Sequence, residues 1–195
     1  MQPLTQQDLK DIAQYERERE EFRRRVIELK RHRRVPVGDK LTFVFENRDT
    51  IRFQIQEMMR AERIVQPDRI QEELDTYNTL VPAENQLIAT LLLEITNQAE
   101  MKEQLDRFMG IDRGGTTVLE IGGERVEGEY EGGHSNEEKI SAVHYVTFKL
   151  SPGQAERIVR GEDPVKLVVR HRNYRHETSI AGDVLRSLAN DLREP

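Results

Sequence analysis

Apolar residues along this chain switch between two periods, and the switches mark its elements. From Leu41 to Glu46, Leu41, Phe43 and Phe45 alternate with Thr42, Val44 and Glu46, the period of two of a strand with one well-buried face. The period then becomes helical: at 100° per residue Ile51, Ile55, Met58 and Met59 share one side, with Asn47 or Asp49 placed to accept the free N–H groups of the helix start. Upstream, Thr5 with Asp8 reads as a helix start, and Leu9, Ile12, Tyr15, Phe22, Val26 and Leu29 carry an apolar seam through a highly charged helix. Downstream, Pro67 opens a helix with Ile70, Leu74, Tyr77 and Val81 on one face, and Pro82 ends it.

The run Leu87 to Ile95, LIATLLLEI, is nearly all apolar and reads as a central strand buried on both faces. A helix capped by Asn97 and Glu100 and ended by Gly110 follows. Val118–Ile121 and Arg125–Tyr130 read as strands about a Gly122-Gly123 turn, and Glu131–Glu138 as a mobile loop. Ile140, Ala142, His144, Val146, Phe148 and Leu150 form one face of a long strand, which makes His144 a core histidine. Ser151, Pro152 and Gln154 start a short helix that Gly161 ends. Val165–His171 and Tyr174–Ile180 pair as a hairpin over Arg172-Asn173. This sets Arg170 opposite Arg175, a like-charge pair that needs an acidic neighbour. A final helix turns Val184, Leu185, Leu188 and Leu192 inward. The order lacks steady β-α alternation, so the expected fold is α+β: a mainly antiparallel sheet with packed helices and a long charged N-terminal helix. One domain over 1–195 is expected, with 1–34 as a helical arm packed on the body.

Charge adds direction to this picture. Residues 1–34 carry ten Lys or Arg against seven Asp or Glu (+3), and the remainder twenty against twenty-nine (−9), so the arm should dock on its own acidic body. Seven of the ten lie between Arg23 and Arg34, without the interleaved aromatics that would read bases, so a solvated helix face is expected there rather than a nucleic-acid site. The absence of cysteine excludes disulfides, thiolate zinc sites, cysteine nucleophiles and cysteine-ligated iron–sulfur clusters. No apolar run approaches the roughly 20 residues that span a bilayer, and MQPLTQQDLK has no signal core, so a cytoplasmic protein without membrane contact is expected.

The common phosphate-cradling and nucleophile-elbow motifs are absent. The five histidines form no H-E-x-x-H pair, and the single E-x-x-H, Glu131 to His134, lies in a glycine-rich loop; neither a metal nor a cofactor is expected. The densest set of functional groups lies on the helix after Glu46. Arg52, Gln56, Arg60 and Arg63 form a polar stripe, Gln54 and Glu57 lean toward Phe53, Ala61 and Ile64, and Glu62 falls within the apolar arc, where burial would require either a charge partner from another segment or a raised pKa.

The runs FVFENRDTIRFQIQEMMRAERI, ELDTYNTLVP and EKISAVHYVTF resemble an uncharacterised bacterial family, a domain of unknown function of about this length. Its members are often encoded beside a rubrerythrin and a heterodisulfide-reductase-like iron–sulfur protein. The resemblance implies a link to redox or peroxide defence, with any electron-carrying cofactor belonging to the partner. Two functions are therefore expected. One is a non-catalytic accessory or adaptor protein of a redox system, binding a rubrerythrin or iron–sulfur partner through Asn47, Arg48, Asp49, Arg52, Gln54, Gln56 and Arg60. The other is a small-molecule-binding enzyme or sensor with Glu57 or Glu62 as acid or base beside those arginines.

Overall fold

In a computed structural model, residues 1–95, 97–132 and 140–193 are described. Most of the loop expected to be mobile, and with it His134, lies outside them. The strands are β1 (Arg34–Val37), β2 (Leu41–Glu46), β3 (Gln86–Leu93), β4 (Thr117–Ile121), β5 (Glu124–Tyr130), β6 (Val143–Lys149), β7 (Val165–His171) and β8 (Tyr174–Ile180). They form one sheet in the order β1-β2-β3-β6-β5-β4-β7-β8, and every neighbouring pair is antiparallel. This gives the expected α+β class.

The sheet curls until its edges meet. The Tyr174 hydroxyl donates to the Val37 carbonyl at 2.8 Å and accepts from the Lys40 amide at 3.0 Å, while Thr178 Oγ1 donates to the Pro36 carbonyl at 2.6 Å. Side chains of β8 thus satisfy backbone groups around β1, where an open edge would otherwise present them to other chains. Inward residues from all eight strands, among them Val37, Phe43, Leu91, Leu119, Val126, Phe148, Val169 and Ile180, form one apolar core.

Helix α4 (Met101–Arg107) covers one end of this barrel, with Phe108 packed on His171 and Tyr174. Helices α5 (Pro152–Arg160) and α6 (Gly182–Arg193) cover the other, through Ala155, Ile158, Leu188 and Ala189. The cap of α5 is the expected one, Ser151 accepting from Gln154 N and Gly161 taking the left-handed conformation at its end. His144 is fully buried in the inward row of β6, with Nε2 at 2.9 Å from the Ser141 carbonyl. Arg170 does stand opposite Arg175, and Glu120 meets Arg170 at 2.8 Å.

A second apolar cluster lies outside the barrel. Helices α2 (Arg48–Glu62) and α3 (Pro67–Tyr77) pack Ile51, Ile55, Met59 and Leu74 over Ile88 of β3, with Ile64, Leu80 and Val81 joining them. Helix α1 (Ile12–Arg31) lies across α2.

Two features at the N-terminus depart from the sequence pattern. The Thr5–Asp8 capping box closes only a 3-10 turn over Gln6–Asp8, and the long helix has its own cap, Asp11, which accepts from Gln14 N. Arg34, expected to be the last residue of the helical arm, opens a strand over Arg34–Val37. A four-residue strand with a central proline leaves almost no alternating pattern, and proline is tolerated there because β1 is an edge with one ladder partner.

Candidate functional site

The strand-to-helix passage at Glu46-Asn47-Arg48 is built by a reciprocal cap. The Asn47 side chain accepts from Thr50 N, and Thr50 Oγ1 accepts from Asn47 N at 2.9 Å. Arg33, fully buried, braces the same passage: Nε donates to the Phe45 carbonyl at 2.7 Å, Nη2 to the Glu46 carbonyl at 3.0 Å, and the guanidinium pairs with Asp191 of α6. Burial pushes the Asp191 carboxyl up, and the Arg33 charge pulls it back. Asn47 Nδ2 also reaches Asp191, at 3.4 Å.

Most of the polar residues singled out on α2 are engaged by the chain's own N-terminal segment. Arg48 pairs with Asp8 at 2.6 Å and donates to the Gln2 carbonyl at 3.1 Å. Arg60 pairs with Glu16 at 2.7 Å. Gln56, placed by the helical plot in an exposed stripe, is 2% exposed: Oε1 accepts from Lys10 N at 2.7 Å and Nε2 donates to the Lys10 carbonyl at 3.1 Å. Arg52 pairs with Asp49 at 2.9 Å and lies over the Phe22 ring, 5.0 Å from its centroid. Residues 1–25 therefore cover Arg48, Arg52, Gln56 and Arg60, and in the pairs to Arg48 and Arg60 the acid belongs to the N-terminal segment, the reverse of a basic arm on an acidic body.

Glu57 accepts from Tyr15 Oη at 2.7 Å and from Arg19 Nε and Nη2, each at 2.8 Å. The Arg19 guanidinium, with Tyr15 assisting, holds the carboxyl below its usual range, so Glu57 is a fixed carboxylate rather than a proton donor at neutral pH. Burial, and then the bond to Glu57, pushes the Tyr15 phenol up. Glu62, expected in the apolar arc, is exposed. Glu62 is the last residue of α2, which Arg63 ends in the left-handed conformation (φ 54°), and it is Ile64 beyond this cap that joins the apolar cluster. Glu57 and Glu62 share no site.

Of the polar α2 residues picked out from the sequence, Gln54 alone lines a cleft of about 500 Å³. Its floor is the outer face of the barrel, where Arg34, Val44, Thr90 and Tyr145 form one row across β1, β2, β3 and β6, and Leu92 and Val143 form part of the next. Its walls are Ile27, Lys30 and Arg31 of α1 with Ile51 and Gln54 of α2. Glu46 lies at the inner end, its side chain 7% exposed. Glu46 Oε1 accepts from Thr90 Oγ1 at 2.7 Å, whereas Oε2 accepts no hydrogen bond among the described residues. The nearest cation, Lys30 Nζ, is 3.9 Å from Oε2, beyond hydrogen-bonding distance. Arg31 pairs with Glu28 at 3.0 Å and Arg34 with Glu94 at 2.6 Å, both partners standing at the solvent side. Three cations therefore surround the mouth above one buried carboxylate, between apolar walls.

The sequence carried faint signals of this cleft. Thr90 is the one polar residue within the run Leu87 to Leu93, and a strand buried along both faces, as β2 is, must have a second layer over its outward Glu46. What the sequence lacked was register, since only pairing of β2 with β3 and β6 sets Glu46, Thr90 and Tyr145 side by side.

Comparison with known proteins gives the chain's relations. A family model described as "Protein of unknown function (DUF3501)" matches residues 3–192. Among solved structures, the chain is similar to a protein of unknown function from Burkholderia pseudomallei K96243, with 34% identity and a TM-score of 0.90 over 98% of this chain and 100% of that one. No curated protein matches it. No helix among the described residues is long and apolar enough to cross a membrane.

Proposed function

The chain belongs to the family of proteins of unknown function DUF3501, and from that premise we propose that it is a small-molecule-binding protein, a sensor or carrier, whose site is the cleft between α1, α2 and the outer face of β2, β3 and β6. The observation that supports this is Glu46 Oε2, a buried carboxylate oxygen without a hydrogen bond at the end of an accessible cleft. A buried acceptor left unsatisfied costs about 1–3 kcal/mol, a cost that a ligand donor would offset. The size and the mixture of apolar walls with few polar groups suit a small metabolite. A cytoplasmic location belongs to the same proposal.

An adaptor role beside a rubrerythrin or iron–sulfur protein, which the resemblance implies, would need a surface other than Arg48, Gln56 and Arg60, because the N-terminal segment already uses those groups. Acid–base catalysis by Glu57 and Glu62 lacks a shared cavity.

A thermal-shift screen of polar metabolites, run on the wild-type protein and on Val143→Trp, tests the cleft. The indole would fill the floor between Leu92 and Tyr145, so compounds that raise the wild-type melting temperature should leave the variant unmoved. Equal shifts in both proteins would reject this site.

A further inference from the structure

We infer that the cleft takes an α-amino acid with an apolar side chain, its ammonium on Glu46 and its carboxylate on Lys30; the inference rests on the ligand-binding reading above. Among the described residues Glu46 is the only acidic one lining the cleft, and its Oε2, without a hydrogen bond, calls for a donor. An ammonium gives that oxygen a charge-assisted bond, stronger than a neutral donor would. Lys30 is the one cation of the rim whose counter-ion lies inside the cleft, and the 3.9 Å between Nζ and Oε2 leaves the two charges in loose contact. A group bearing both signs on neighbouring atoms satisfies both at once, and an α-amino acid carries them on adjacent carbons.

The balance of charge points the same way. With Arg31 and Arg34 paired to Glu28 and Glu94, Lys30 and Glu46 leave the lining one charge of each sign, which suits a ligand bearing one anion and one cation. A phosphate-rich ligand fits less well, because Arg31 and Arg34 are already paired with Glu28 and Glu94. The remaining lining, Ile27, Val44, Ile51, Leu92 and Val143, offers an apolar surface to the side chain. The Gln54 amide at the wall supplies both a donor and an acceptor for the head group.

The test uses the full chain and isothermal titration calorimetry with L-leucine and L-phenylalanine. Beside them go their deaminated analogues, 4-methylpentanoate and 3-phenylpropanoate, and their decarboxylated analogues, 3-methylbutylamine and phenethylamine. The amino acids should bind, and loss of either head group should weaken binding at least about tenfold. Glu46→Gln, which keeps the shape and the bond to Thr90, and Lys30→Met should each weaken it by a similar factor. Circular dichroism confirms that both variants are folded, and either one alone tests the assignment. The ligand class is overturned if neither amino acid binds, if the truncated analogues bind as well, or if both variants bind like the wild type. If an analogue binds and Val143→Trp abolishes it, the class fails while the cleft stands. If an amino acid binds and Val143→Trp leaves its affinity unchanged, the cleft itself is wrong.

Discussion

Asp8 and Arg33 show how single charges hold this fold together, and each leads to a measurable consequence. The bond to Arg48, aided by the Thr5 amide, lowers the Asp8 carboxyl from its ordinary 3.8 to about 2. The folded state therefore binds this proton less tightly than the unfolded state. The stability contributed is fully present above pH 3.8 and is lost as the pH falls through about 2. Asp8→Asn should melt below the wild type near neutrality, and the gap should close between those pH values; a gap constant down to the lower one would show that the pairing with Arg48 contributes nothing. Arg33 is the stronger case because it is wholly buried. Arg33→Ala leaves the Phe45 and Glu46 carbonyls without its donors and Asp191 without its cation. The loss should be about 3–5 kcal/mol in urea denaturation. Because a buried carboxylate without its cation favours the protonated form, the deficit should narrow as the pH is lowered from neutral. A loss under about 1 kcal/mol, the range of an exposed pair, would show that the network is not coupled.

Among the elements, the closure of the barrel depends on the turn between β1 and β2. Gly38 has φ +67°, and a Cβ there would collide with the Tyr174 hydroxyl and the His176 ring. Gly38→Ala should cost on the order of 2 kcal/mol, from backbone strain and from displacing the hydroxyl that bridges Val37 and Lys40. In a Tyr174→Phe background the same substitution should cost less, and strictly additive losses in a double-mutant cycle would show that the hydroxyl is not what the glycine admits. The elements themselves were largely legible in the sequence. Alternation revealed β2, β6 and both hairpins, and the spacing of Ile51, Ile55 and Met59 revealed α2. Strand β1 was not legible, because Arg34-Val35-Pro36-Val37 is too short for periodicity, and the β8 side chains that bond its carbonyls lie far along the chain. The site was less legible still. Helical spacing shows which residues share a face, but it does not show that residues 1–25 cover that face, nor that the cleft opens on the other side of α2 around Glu46.

For the whole molecule, the question is whether residues 1–34 are an arm attached to a body or part of the body. Leu4, Tyr15, Val26 and Arg33 are all buried. The segment is also tied down along its length: the Met1 ammonium donates to the Pro82 carbonyl at 2.8 Å, Leu4 N and O bond to the Asn78 side chain, Gln56 holds Lys10, and Glu57 holds Tyr15 and Arg19. Its last residues lead directly into β1, the strand that completes the barrel, while Arg33 reaches α6. An appendage would unfold on its own at lower denaturant, whereas a segment carrying part of the second core and the buried Arg33 brace must unfold with the body. Urea titration should therefore give one transition, with coincident midpoints by far-ultraviolet circular dichroism and by tyrosine fluorescence. A chain beginning at residue 35 should fail to give the cooperative transition, because it loses Arg33 and uncovers the outer face of α2. If instead that shortened chain melts cooperatively near the full-length midpoint, the N-terminal helix is a detachable arm. The wall formed by Ile27, Lys30 and Arg31 could then move away from the cleft, and ligand affinity would depend on the docking of α1.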